Sequence, residues 1–258
     1  MRSLWICYRK EMLEMKRSYK LLWIPAVFIL IGMMQPITAY YMPEILKMSG
    51  DVPKGILDSY QIPGAGEVMA KSLGQYGMIG LLVLVLSAMN GFAGEREGGI
   101  AELFLSRPVS TSAAASAKWL AHLTLLVLSL GLGSAFAAYY TIRLIGELQF
   151  GPVLAASAVY GLWLMCGVSL TLLFSSFLRA PAAAFLGLGV TAVLSLLHQL
   201  LPGWLRWSPA ALTQLSAGFL DPVGESTRYM PILSGLLLIA CCIGGAAMLF
   251  RRNKLPHT

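Results

Sequence analysis

Six long apolar blocks constrain this chain more than any other feature of its sequence. They cover residues 21–42, 76–93, 119–140, 153–178, 181–201 and 231–250, and none of them contains Asp, Glu, Lys or Arg. A bilayer core about 30 Å thick requires about 20 consecutive helical residues to cross it. Strands of a β-barrel would alternate apolar and polar residues, whereas these blocks are apolar throughout. We therefore predict an all-α membrane protein with six transmembrane helices.

The charges predict how these helices are oriented. Only 12% of the residues are charged, compared with about a quarter in a soluble domain. Six spans place both termini on one side, and thirteen of the nineteen Lys and Arg residues fall on that side, which the positive-inside rule assigns to the cytoplasm. We predict a multi-pass protein of the cell membrane with both termini cytoplasmic. The net charge of +7 then reflects topology and attraction to anionic membrane lipid, without a nucleic-acid partner.

Residues 1–20 form a unit distinct from the transmembrane domain at 21–258. Aromatic and Met side chains recur there at spacings of three and four, with basic residues between them. The members of this stripe are Trp5, Tyr8, Met12, Met15 and Tyr19. The pattern predicts a cytoplasmic amphipathic helix lying in the membrane interface. Whether this helix is a simple anchor or also contacts a partner protein is left open by the sequence.

Several kinds of chemistry have no support in the sequence. The segment GAGEVMAKS in the predicted external loop at 43–75 resembles a phosphate loop, but Ala65, Met69 and Ala70 stand where the glycines belong. The four Cys residues show no CxxC spacing, and His122 and His198 have no partner residues nearby in sequence. We therefore predict no catalytic, cofactor or metal site in this chain.

Two further predictions concern the segment between the last two blocks and the small residues within the blocks. Residues 202–230 are too apolar for a free loop and too rich in Pro to span, so we predict a short re-entrant or interfacial helix there, with Trp204 and Trp207 at the head-group level. Small residues four apart, as at Gly133 and Ala137, predict closely packed helices.

A charged segment separates the second block from the third, in the stretch from Gly94 to Lys118. Charged residues at 95–97 mark the end of the second span, Gly98 and Gly99 permit a sharp bend, and residues 100–105 give about two helical turns. Pro108 ends this short helix, and Ser110 is a good cap for the next. The residues alone fit either an ordinary connector or a short helix across the cytoplasmic mouth.

The order of residues in this segment resembles the signature of ABC-transporter permeases of the type-2 (ABC-2) class. The matching residues are Glu95, Arg96, Gly99, Glu102, Leu103, Phe104, Ser106, Arg107, Pro108, Val109, Ser110 and Lys118. The basic N-terminal helix with RKEMLEMKRS, the six spans, the large first external loop and the stretch LTLLFSSFLRAPAAAFLGL are similar to that class as well. The chain departs from it at Ile100, where Thr is usual, and in STSAAASA, which lacks a basic residue after the proline.

This resemblance implies a half-transporter. Two six-span permease subunits, identical or similar, would face one another, and each would dock on a separate cytosolic ATPase that carries ATP and Mg, while this chain binds no cofactor. The residues implied to couple to the ATPase are Glu95, Arg96, Glu97, Gly99, Glu102, Arg107 and Pro108. The resemblance implies an exporter whose pathway follows the dimer seam, with spans two and five, for a hydrophobic or amphipathic cargo. The alternatives are a non-transporting anchor, sensor or immunity subunit of an ABC complex, and an intramembrane enzyme.

Overall fold

The computed structural model describes residues 2–48, 62–98, 110–220 and 229–252. Within these ranges the chain is helical, with no strand. Six helices are long and apolar enough to cross a membrane, namely α2 (Lys20–Met48), α3 (Ala65–Glu97), α4 (Thr111–Leu144), α5 (Phe150–Ser175), α6 (Ala180–Leu200) and α8 (Met230–Arg252). A helix α1 (Arg2–Arg17) precedes them, and a short helix α7 (Leu212–Leu220) lies between α6 and α8. The all-α architecture with six membrane helices is confirmed.

Two of the membrane helices are longer than the apolar blocks that predict them. Helix α2 continues to Met48 through three internal prolines, which membrane helices tolerate because neighbouring groups can satisfy the freed carbonyls. Helix α3 begins at Ala65, within the predicted external loop. Glu67 and Lys71 form an ion pair of 2.8 Å one turn apart on its first turns, which favours helix there although the segment is not uniformly apolar.

Helix α5 is the centre of the bundle. It is the most buried of the six membrane helices and packs against α3, α4, α6, α7 and α8, while α2 lies along α4. Small residues permit these contacts. Gly187 of α6 lies directly against Thr171 of α5, so that a side chain at this position would displace the Thr171 hydroxyl. This agrees with the prediction of closely packed helices.

Helices α2, α3 and α4 pack against one another around Tyr76. The Tyr76 ring stacks on Phe28 with 5.0 Å between ring centres, and its hydroxyl donates to the Phe28 carbonyl at 3.1 Å. Gly32 of α2 and Gly133 of α4 face each other beside this hydroxyl, each too close to the opposite backbone for a β-carbon. Tyr76 also begins a π-helical turn, Tyr76–Gly80, inside α3. Glycine at both positions is therefore required by the approach of two backbones.

The segment between α6 and α8 contains the short helix that the sequence predicts. Helix α7 packs against α5 and α3, and the Ser216 hydroxyl donates to the Ala156 carbonyl of α5 at 2.9 Å. Trp204 and Trp207 precede it and are both exposed. Amphipathic rings at this level are typical of the membrane–water boundary.

Candidate functional site

Helix α1 packs against α4 and α2 at one end of the bundle. Its inward face carries Cys7, Glu11 and Met15, spaced four residues apart and all buried. The predicted apolar stripe is divided by this packing. Tyr8, Met12 and Met15 face the bundle, where the Tyr8 hydroxyl is hydrogen-bonded to that of Thr124 at 3.0 Å, whereas Trp5 and Tyr19 are exposed. Only part of the stripe is therefore left for a lipid surface or a partner.

Four charged side chains meet where α1 contacts α3 and α4. We call Lys10, Glu11, Glu95 and Lys118 the ion cluster. The Lys118 ammonium lies 2.7 Å from Glu11 Oε1 and 2.9 Å from Glu95 Oε1. The Lys10 ammonium lies 3.3 Å from Glu11 Oε1 and also contacts Glu95 Oε1. Each carboxylate is thus held by two ammonium groups, and α1, α3 and α4 are joined by one network.

The ion cluster is neutral overall and largely withdrawn from water. The Lys118 side chain is only 3% exposed, and its ammonium lies 5.5 Å from the centre of the Phe92 ring. Burial by itself would raise the pKa of the Glu11 carboxyl, but the ammonium groups of Lys118 and Lys10 outweigh burial and lower it. Burial likewise opposes charge on Lys10, yet Glu95 and Glu11 raise the pKa of its ammonium. Both groups of α1 are therefore held in their charged forms.

The end of α3 is tied to the rest of the bundle beside the ion cluster. Arg96 donates through Nη2 to the carbonyl of Leu178, in the connection between α5 and α6. Lys20, at the start of α2, donates to the Ser87 carbonyl of α3 at 2.9 Å. The Phe92 ring packs on Phe250 near the end of α8, with 4.9 Å between centres. All six membrane helices therefore have a contact close to this end.

The structure separates the residues predicted to couple to an ATPase. Glu95 is buried inside the ion cluster and Arg96 is partly buried, while Glu97 is exposed on the last turn of α3. The remaining four, Gly99, Glu102, Arg107 and Pro108, lie outside the described residues. The described part of the set thus divides into groups that hold the bundle together and one group that faces outward.

Lys10 and Glu11 were not singled out by the sequence pattern. One feature of the sequence could have indicated this site. Glu11 is an acidic residue on the same helical face as Cys7 and Met15. An acidic group on the inward face of a basic helix requires a cation from another element. Lys118, noted only as part of the ABC-2 signature, is that cation, although 107 residues separate it from Glu11.

The ion cluster connects helices to one another. In the part of the chain that the structure describes, no group of three or more His, Cys, Asp and Glu side chains is placed to hold a metal ion. The two carboxylates of the ion cluster are occupied by ammonium groups, and the His122 Nδ1 is engaged with the Lys118 carbonyl at 2.9 Å. What these contacts can do is transmit a displacement of α3 or α4 to α1 and to the other helices.

Comparison with known proteins places the chain in a family. Residues 5–234 match the family described as ABC-2 family transporter protein. The chain is also 35% identical, over 205 residues, to the uncharacterized transmembrane protein YxlG of Bacillus subtilis (strain 168), an alignment that covers 79% of this chain and 80% of that protein. Permeases of this family are membrane subunits that do not themselves hydrolyse ATP. The chain is a multi-pass membrane protein and belongs to the ABC-2 family of transporter permeases.

Proposed function

We propose that this chain is the permease subunit of an ATP-driven exporter and that a separate cytosolic ATPase drives it through the end of the bundle that carries the ion cluster. The observation that carries the proposal is the ion cluster itself. It connects the last turn of α3, the start of α4 and helix α1 at one end of the molecule. Family membership supports a partner ATPase, since such permeases associate with one.

Two glutamates of the last turn of α3, two residues apart, have different roles in this proposal. Glu97 is the contact residue, because its carboxylate is exposed and free to meet a basic group of the ATPase. Glu95 is a positioning residue, because it is buried and paired with Lys118 and Lys10. The residues beyond Gly98, including Glu102 and Arg107, would complete the docking surface. When the ATPase displaces this segment, the displacement is transmitted to α1 through Glu95. It is transmitted to the α5–α6 connection through Arg96.

A second permease subunit, identical or similar, completes the transporter. Helix α6 supports this because it is among the least buried membrane helices and carries a row of exposed apolar side chains along its length. These are Phe185, Leu186, Val193, Leu196, Leu197 and Leu200. A seam that includes α6 and α3 would be lined by few charges. It therefore suits a hydrophobic or amphipathic cargo.

The division of roles predicts different outcomes for two single substitutions. We expect Glu97→Ala to leave expression, membrane insertion and thermal stability intact, while reducing stimulation of the partner ATPase by cargo about tenfold or more, since one charge-assisted contact across the docking surface is lost. Glu95→Ala should instead lower the thermal stability of the permease itself, because it leaves Lys118 and Lys10 short of a carboxylate. The measurements are ATPase activity of the reconstituted complex and thermal unfolding of the purified permease.

A matched control is Glu147→Ala, an exposed glutamate at the opposite end of the bundle, between α4 and α5. This change should alter neither ATPase stimulation nor stability. If Glu97→Ala retains full stimulation, or if Glu147→Ala removes it, the proposed docking end is wrong.

A further inference from the structure

A long groove runs between α4 and α5, and its described lining residues come from these two helices and from α8. Its volume is about 890 Å³, and Leu236 and Ile239 of α8 close part of one wall. Small residues form much of the remaining wall, including Gly131, Ser134, Ala135, Ala138, Ala158 and Gly161. Large apolar side chains such as Val127, Phe150 and Leu154 are exposed at its rim. The groove is therefore open sideways, toward the lipid that surrounds the helices.

The length of the groove favours an elongated occupant that enters from the lipid. Lining residues on α4 extend from Trp119 to Arg143, which corresponds to about 36 Å of helix rise and so to the whole hydrocarbon thickness of about 30 Å. The acyl chains of a phospholipid reach across about half of that thickness, so a lipid held at one end would fill the half of the groove nearest to that end.

One charge marks one end of the groove. Arg143, at the end remote from the ion cluster, is the single charged residue that lines the groove in the described part of the chain, and its guanidinium carbon lies 5.8 Å from the centre of the Tyr139 ring. A guanidinium pairs well with phosphate oxygens, and an arginine beside an aromatic ring is typical of the head-group level. The charge therefore selects an anionic head group over a zwitterionic one.

We propose that this groove binds a resident anionic phospholipid, with its acyl chains between α4 and α5 and its phosphate on Arg143. This lipid is a structural ligand of the permease and is distinct from the exported cargo, because the residues that line the groove belong to α4, α5 and α8 and not to α6. The site is independent of the coupling role proposed for the ion cluster.

The proposal is tested by a substitution that places a bulky side chain at the groove. Gly131 lines the groove, and no atom of the described residues lies within 4 Å of a β-carbon built there, so the β-carbon of Gly131→Trp is accommodated and its indole adds bulk at the groove. Gly244 of α8 is equally open but lies outside the groove, and Gly244→Trp is the matched control. Full-length protein is exposed to vesicles of phosphatidylcholine with or without phosphatidylglycerol, extracted and washed in detergent, and the retained lipid is counted by native mass spectrometry.

We expect wild-type protein and Gly244→Trp to retain phosphatidylglycerol and Gly131→Trp to lose it. Arg143→Gln should reduce the preference for phosphatidylglycerol over phosphatidylcholine about tenfold, as the loss of one charge-assisted contact implies. Equal retention by the two tryptophan variants, or no preference in the wild type, would overturn the proposal. Dissociation of a permease dimer by Gly131→Trp, with lipid retention unchanged, would assign the groove to a second copy instead and also overturn it.

A second measurement covers the case in which Gly131→Trp does not fold. Wild-type protein is irradiated in vesicles that contain an anionic phospholipid with a photoreactive group on its acyl chain. Adducts concentrated on Val127, Leu154 and Leu236 are expected, since these residues line the groove. Adducts spread as densely over the exposed apolar residues of α2 and α6 would show an ordinary lipid annulus and would contradict a specific site.

Discussion

Lys118→Met is expected to lower the free energy of unfolding of the permease by about 3–5 kcal/mol, because it removes the cation shared by two buried carboxylates. Glu11 and Glu95 would then lie side by side with only the partly exposed Lys10 between them. Helix α1 should separate from α4. Thermal unfolding of the purified protein measures the first effect, and the distance between spin labels at Leu13 of α1 and Val127 of α4, both exposed, measures the second.

Lys71→Met is the matched control for this prediction. Lys71 is also paired with a glutamate, Glu67, at 2.8 Å, but both side chains are about half exposed. Solvent-exposed pairs of this kind contribute only about 0–1 kcal/mol, so the control should unfold almost as the wild type does. Combining Lys118→Met with Glu11→Gln should restore most of the lost stability, because the charges that remain, those of Lys10 and Glu95, form a neutral pair. Equal effects of Lys71→Met and Lys118→Met would contradict a buried network.

Gly133→Ala should destabilise the bundle strongly, although alanine is the better helix former. A β-carbon at Gly133 would lie 2.6 Å from the Tyr76 hydroxyl and 2.8 Å from the Phe28 carbonyl oxygen, and the second of these belongs to backbone that cannot rotate away. Helices α2 and α4 would have to separate. Overpacking of this kind costs about 1–3 kcal/mol or more, which thermal unfolding in detergent will detect.

Gly131→Ala, two residues before Gly133 on the same helix, provides the comparison. No atom of the described residues lies within 4 Å of a β-carbon at Gly131, so alanine there should be neutral or stabilise the protein by about 0.5–1 kcal/mol through helix propensity. Adding Tyr76→Phe to Gly133→Ala should recover part of the loss by removing one of the two clashing oxygens. If both alanine variants behave alike, the close approach of α2 and α4 is not present in the protein.

The membrane helices were predictable from sequence because hydropathy is a local property. Each of the six apolar blocks lies largely within a helix of the bundle. The helix ends were not predictable in the same way, since helix continues past the apolar residues where local pairs such as Glu67 and Lys71 support it. Both ends of the predicted loop at 43–75 are therefore helical in the structure, since α2 extends to Met48 and α3 begins at Ala65.

The contacts of the candidate site depend on tertiary structure that no local pattern contains. The ABC-2 resemblance directed attention to Glu95, but its partner Lys118 is 23 residues away, and Lys10 is 85 residues away. The ABC-2 resemblance implied the same role for Glu95 and Glu97, whereas the structure buries Glu95 and exposes Glu97. The groove between α4 and α5 is likewise formed by small residues whose common orientation appears only once the two helices are packed.

Site-directed photo-crosslinking from position 97 shows whether an ATPase docks at the end of the bundle that carries the ion cluster. A photoreactive amino acid replaces Glu97 at the end that carries the ion cluster, and a second variant carries it at Glu147 at the opposite end. We expect position 97 to crosslink in native membranes to a protein with nucleotide-binding motifs, and position 147 not to do so. A crosslink to such a protein from position 147, or none from position 97 in a permease that still transports, would contradict docking of the ATPase at the end that carries the ion cluster.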